Sequence, residues 1–205
     1  MDEIVLRALA KWPDVPAVYG WLSLDRRGNW RIKGERITNP MIAAFIGRNY
    51  GRDARGCWFF QNGPQRVYVA LDYTPFVLRV KGGDDDALAL ETHTAVGVAA
   101  LKGAWLDEAG ALLLETEPGV ALVHDRDLAR LLPQFIDANG NPLAEPVLDE
   151  LMELLQRGRP APLWLKYRES CVRVEPIAAS EVPARFGFVA QPAPPAGEER
   201  CERRN

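Results

Sequence analysis

The sequence predicts an α+β protein built of two similar antiparallel β units, each packed with a helix, sharing an interface and related by internal duplication. Three observations carry this. Residues 58–80 are β-rich and aromatic, and Val67, Val69 and Leu71 alternate there with Arg66, Tyr68, Ala70 and Asp72, the two-residue period of a half-buried strand. An Asp-x-x-Gly turn follows an aliphatic residue at Asp25, Asp107 and Asp137, so the same local grammar recurs in both halves. Finally, two helices carry clear punctuation: Asn39-Pro40 opens one, and the other runs from Pro146 to Gly158. Turn-separated strands without regular strand–helix–strand repeats exclude a doubly wound sheet.

Taken in order, residues 1–16 hold a short N-terminal helix with Ile4, Val5 and Leu9 on one side, ended by Pro13 and Pro16. The first β/helix unit spans 17–83. Its strand over 19–24 turns through Asp25-Arg26-Arg27-Gly28 into a returning strand over 30–33. In the helix begun by Asn39-Pro40, Ile42, Phe45 and Ile46 line the buried face. Residues 67–71 and 76–80 then form one wall of a sheet, joined by a bend or hairpin at Tyr73-Thr74. Residues 81–86, KGGDDD, read as a solvated loop, because adjacent aspartates lack the alternating spacing of a calcium loop.

The second unit spans 84–190. It repeats strand, Asp turn and strand, and Asp125 caps a short helix reaching Leu132. Val147, Leu148, Leu151, Leu154 and Leu155 share one face of the next helix, and a last strand pair occupies 163–167 and 171–175. The proline-rich, then charged stretch 191–205 has nothing to bury and is expected to be disordered.

Composition narrows the function classes. A net charge of −3 provides no overall basic field, so nucleic acid is not an expected partner. No apolar run is long enough to cross a bilayer, and the acidic start does not read as a signal peptide, so the expected setting is the cytoplasm without membrane insertion. Cys57, Cys171 and Cys201 form no metal-spaced pair; Cys57 and Cys171 are expected as buried reduced thiols and Cys201 as exposed. His93, between threonines in a strand-like stretch, and His124, before the capped helix, read as structural. No metal site and no cofactor are expected, and no nucleophile, Walker or dinucleotide motif is present.

One polar cluster remains: Asn62, Gln65, Arg66, Tyr68, Asp72 and Tyr73. It mixes a planar cation, two phenols, two amides and a carboxylate, and Arg66, Tyr68 and Asp72 fall on one strand face. Such a face can hydrogen-bond and stack a small polar molecule or a peptide, and it can equally be the wet side of an antiparallel sheet.

The motifs Tyr19-Gly20-Trp21…Asp25…Gly28…Trp30, Ile37-Thr38-Asn39-Pro40 and Phe59-Phe60…Pro64…Val67…Val69…Asp72…Pro75-Phe76, with 182–188 (VPARFGF), resemble a bacterial, mostly proteobacterial family of unknown function. More distantly, the chain is similar to a wider uncharacterised family with a duplicated β-rich core. That resemblance implies a pleckstrin-homology-like second half, with a cleft between halves for ligand binding or signalling. The leading expectation is a non-enzymatic ligand-binding or regulatory module with its site in that groove. The alternatives are a small hydrolase or transferase using Asp72 or another carboxylate, and an interaction subunit, including a homodimer, covering Trp58, Phe59, Phe60 and Phe76.

Overall fold

Hydrogen bonding sorts fourteen strands into two mixed sheets in the computed structural model, which describes residues 1–13, 15–82 and 88–195. The first compact unit comprises Met1–Tyr73 and the chain from Gly187 onward; the second is Thr74–Phe186.

In the first unit the order is α1 (Glu3–Lys11), β1 (Val18–Leu24), β2 (Trp30–Ile32), β3 (Glu35–Arg36), α2 (Pro40–Arg48), β4 (Tyr50–Arg52), β5 (Trp58–Asn62) and β6 (Gln65–Leu71). The sheet runs β3-β2-β1-β6-β5-β4. Neighbours are antiparallel except β1 and β6, which are parallel because the chain crosses over through α2 between them. Asn39 caps α2 as its sequence suggests, its Oδ1 accepting from the amides of Met41 at 2.9 Å and Ile42 at 3.4 Å. The sheet is strongly curled. Rings of Trp30 on β2 and Tyr50 on β4 meet edge to face at 5.1 Å, although four strand spacings in a flat sheet would separate them by about 19 Å. Leu22, Leu24, Val69, Leu71, Phe60, Trp58 and Ile46 fill the concave side and are buried.

The second unit contains β7 (Phe76–Lys81), β8 (Ala89–Thr92), β9 (Gly103–Leu106), β10 (Leu112–Glu115), β11 (Val120–Val123), α3 (Leu128–Leu131), β12 (Phe135–Ile136), α4 (Glu145–Gln156), β13 (Trp164–Tyr167), β14 (Ser170–Pro176) and α5 (Val182–Arg185). Its order is β12-β13-β14-β9-β10-β11-β7-β8. Read from β11 back to β12, this is the first sheet's order with β7 and β8 added at one edge. The parallel β9–β14 pair stands where β1–β6 stands. Internal duplication is thus visible as shared topology.

Four corners of these sheets have one construction. In Asp25, Asp53, Asp107 and Asp137, Oδ1 accepts from the amides two and four residues ahead at 2.7–2.9 Å. The fourth residue is glycine at φ between +77° and +84°, a left-handed position closing a type I turn with a bulge.

Residues after the second unit return to finish the first. Leu71 donates its amide to Ala190 O at 2.8 Å, Val189 donates to Gly56 O at 3.0 Å, and the Arg52 guanidinium donates to Gly187 O.

Several expectations are corrected. β6 and β7 lie in different sheets, so residues 58–80 do not form a single wall; hydrophobic alternation reports burial but not which sheet provides it. In α1 Val5 is buried while Ile4 is exposed, and in α2 Ile46 is buried while Ile42 is exposed. In α4 only Leu148 and Leu155 are fully buried, and Val147 is exposed. His124, rather than Asp125, holds the N-cap position; its Nδ1 accepts the Arg126 amide at 3.1 Å, and Asp125 Oδ1 takes the same amide at 2.9 Å. Cys171 is exposed, since β14 carries it on its outer side. His93 lies in a turn after β8, with Nδ1 accepting the Val77 amide at 3.3 Å. The KGGDDD aspartates, Cys201 and most of the expected tail lie outside the described residues.

Corner glycines differ in surroundings, which yields a paired test. A Cβ on Gly56 would stand 2.6 Å from Gly187 O and 3.3 Å from Phe188 Cα, whereas one on Gly140 meets nothing within 4 Å. Gly140→Ala should cost about 1 kcal/mol, the left-handed backbone penalty alone. Gly56→Ala should cost about 2–4 kcal/mol, because backbone must also move. Denaturant unfolding of both variants checks the difference.

Candidate functional site

The convex face of the first sheet, where Phe59, Gln61 and Tyr68 are themselves buried, is where the predicted cluster partly assembles. Paired residues share a face, so Arg66, Tyr68 and Ala70 of β6 lie with Phe59 and Gln61 of β5 and with Ser23 of β1. β1 is irregular here. Val18 pairs with Val67 and Leu22 with Val69, leaving Tyr19-Gly20-Trp21 opposite the single residue Tyr68. Gly20 takes φ +73°, which lets the extra residues bulge and re-aims their side chains. Tyr19 consequently stacks on Tyr68, ring centroids 4.5 Å apart and 9° from parallel.

Polar groups lock this stack. The Asp53 corner presents its carboxylate to Tyr68 of β6 and its Arg55 to Tyr19 of β1. Oδ1 is engaged by the Arg55 and Cys57 amides, while Oδ2 accepts from Arg55 Nε at 3.0 Å and from the Tyr68 hydroxyl at 2.9 Å. Arg55 reaches the Tyr19 hydroxyl at 3.2 Å and lies 5.2 Å over the Tyr68 ring. Arg66 lies 4.6 Å over the Phe59 ring, with Nε at 3.4 Å from Gln61 Oε1. Beneath them Cys57, Phe59 and Tyr68 pack with Ala17, Tyr19 and Val189.

Electrostatics follow from this geometry. Burial pushes the Asp53 carboxyl upward, but hydrogen bonds from the Cys57 amide, Arg55 and Tyr68 outweigh it and hold the pKa below the ordinary aspartate value. Burial first, then donation to Asp53, raises Tyr68. Hydrogen bonds to Tyr19 and Asp53 keep Arg55 charged. Burial and the neighbouring Asp53 charge raise Cys57, leaving a neutral thiol of low reactivity.

The six predicted residues separate into three places. Arg66 and Tyr68 stand on the face just described. Asn62 and Gln65 close the β5–β6 hairpin, where Asn62 is exposed and Gln65 Nε2 donates to Pro16 O at 3.2 Å. Asp72 and Tyr73 follow β6, about 20 Å along the strand from Arg66. There the Asp72 amide donates to Leu24 O at 3.0 Å, its carboxylate is exposed, and Arg26 lies 4.1 Å over the buried Tyr73 ring. Trp58, Phe59, Phe60 and Phe76 are all buried.

Tyr19, Asp53 and Arg55 were missed by sequence reasoning. Two signals carried them: Asp53-Ala-Arg-Gly56 is a fourth Asp-x-x-Gly turn, and a glycine inside a strand pattern marks a bulge at Gly20. The second unit has a shallow groove of about 420 Å³ lined by Trp105, Glu175, Glu181 and Arg185 among others. It contains none of the six. Among the described residues, no three His, Cys, Asp or Glu gather as metal ligands.

Asp53 should leave a signature in acid. Its folded pKa is below the unfolded one, so its stabilisation is complete above the unfolded value of about 4 and is lost as pH falls through the folded value. Asp53→Asn should cost about 1–3 kcal/mol at neutral pH, since Tyr68 and Arg55 lose their shared acceptor. The gap between variant and wild type should narrow below about pH 4. Urea unfolding across pH reads both effects.

Comparison with solved structures places this architecture among known ones. The chain is similar to a DUF1285 family protein from Silicibacter pomeroyi DSS-3, at 16% identity over 86% of this chain and 97% of that one, with a TM-score of 0.53. A DUF1285 family protein from Shewanella baltica OS155 is 13% identical over 54% of this chain and 88% of that one, with a TM-score of 0.41. At such identity the first likeness speaks to the fold alone. No curated protein matches. The family model DUF2944, described as "Protein of unknown function (DUF2946)", matches residues 1–193, and the chain belongs to that family.

Proposed function

We propose that the protein is a cytoplasmic, non-catalytic ligand-binding module with a regulatory role, its site being the convex face of the first sheet where exposed Arg66 borders the buried Tyr68. The observation carrying this reading is the β1 bulge: three residues opposite one are an interruption of the ladder, and here they seat Tyr19 on Tyr68 beside two arginines. Arg66 offers a planar, exposed guanidinium stiffened by Phe59, suited to a carboxylate, phosphate or amide on a small molecule or peptide.

A hydrolase or transferase reading finds less support. Asp53 is held ionised and its oxygens are already engaged by four donors, a poor condition for a general base. Asp72 stands at the far end of the strand.

Hydrogen–deuterium exchange and native mass spectrometry with a fractionated small-molecule cell extract test the proposal. Binding should slow exchange in β1 and β6 and add a mass that vanishes on denaturation. Arg66→Ala should lose both effects with an unchanged unfolding midpoint. Exchange unaltered in β1 and β6 by every fraction, or an adduct indifferent to Arg66→Ala, would overturn it.

A further inference from the structure

The β2–β3 hairpin carries a second feature, independent of the Tyr68 reading. Ile32 pairs with Glu35, so Lys33 and Gly34 alone form the loop. Their φ angles are +50° and +87°, the signs a two-residue type I′ turn demands. Asparagine or glycine suits the first of these positions; lysine there is a local strain, and strain of this kind collects where a side chain is needed. The Lys33 ammonium lies 4.2 Å over the ring of Trp21, which is 52% exposed.

Next to it, Arg31 and Arg36 stand directly opposite each other on adjacent strands. Like charges in that relation repel, with side chains about 5 Å apart at Cβ. Arg31 is held in place: its guanidinium meets Asp25 Oδ2 at 3.2 Å and donates to Gly34 O at 3.2 Å. Arg36 is exposed, and neither it nor Lys33 forms an ion pair with a carboxylate among the described residues. The Lys33 ammonium sits on Trp21, two residues before the Ser23 that pairs with Arg31, and cross-strand pairing puts Arg36 beside Arg31 too, while Glu35 falls with Ile32 on the other side.

Three cations and an exposed indole therefore converge on one side of a seven-residue hairpin in a chain whose net charge is −3. We infer that this hairpin is a binding site for phosphate-class anions, with Arg31 as the fixed donor, Arg36 and Lys33 closing on the anion, and Trp21 flanking it. Two sources share that chemistry: a soluble phosphorylated molecule and the headgroup of an anionic lipid.

The test titrates the full chain with inorganic pyrophosphate, followed by amide NMR shifts, and sediments it with phosphatidylcholine vesicles with and without phosphatidylglycerol. Two variants probe the site without threatening the fold. Lys33→Asn places a residue that accepts positive φ, and Arg36→Gln removes the like-charge contact, so neither should lower the unfolding midpoint. Saturable, salt-sensitive pyrophosphate shifts at the hairpin, weakened about tenfold in each variant, are the expected result for a soluble ligand. Co-sedimentation only with phosphatidylglycerol vesicles, lost in the same variants, would assign the headgroup. Absence of binding to either probe overturns the inference. So does binding equal in wild type and variants, or variants that merely self-associate, since cations on an edge strand would then serve only to prevent strand pairing.

Discussion

An aspartate that folds back onto its own turn is the interaction on which this structure most depends. At each of the four corners built this way, a single carboxylate oxygen satisfies two backbone amides that a sharp reversal would otherwise leave without partners. The glycine that follows takes the conformation other residues resist. Local chemistry thereby decides where strands end, and strand ends decide register. A curled sheet with its core on the concave side tolerates no slip, because one residue of shift would expose Leu22, Leu24, Val69 and Leu71 together.

Duplication shows how one corner acquired a second task. Aligning the parallel pairs by register, Leu24 opposite Leu71 and Leu106 opposite Pro176, puts Arg173 where the first unit has Tyr68 and Trp164 where it has Phe59. The corners correspond as well, Asp53 to Asp137. Yet the second oxygen of Asp137 takes Asn141 Nδ2 at 3.1 Å, a bond internal to its turn, whereas that of Asp53 reaches across to Tyr68. The second unit keeps an arginine over an aromatic ring, Arg173 on Trp164 at 5.7 Å, but lacks the tyrosine stack. Topology is common to both copies, and the polar lock belongs to one.

Much of this was legible in the sequence wherever the cause is local. Asp-x-x-Gly, Asn39-Pro40 and the alternation of 67–71 act over a few residues, and each appears in the structure as corner, helix start and strand. What depends on distant partners was not legible. Nothing within residues 58–80 says that β6 pairs with β1 while β7 pairs with β11. Helix periodicity likewise marks a face without fixing its centre, so Ile4 and Ile42 turned outward while Val5 and Ile46 turned in. Of the candidate site, Arg66 and Tyr68 share a face by strand parity alone. Their partners Asp53 and Arg55 arrive through the β4–β5 corner, a relation set by sheet order rather than by spacing.

The return of the chain after Phe186 bears on how the protein is made. Ala190 and Val189 supply bonds to Leu71 and Gly56, residues synthesised more than a hundred positions earlier. The second unit is one uninterrupted stretch and can fold as soon as it leaves the ribosome. The first must wait, its sheet incomplete, until Val189 and Ala190 have been translated. Order of synthesis and order of completion are therefore reversed, and the unit bearing the tyrosine stack is the last to close.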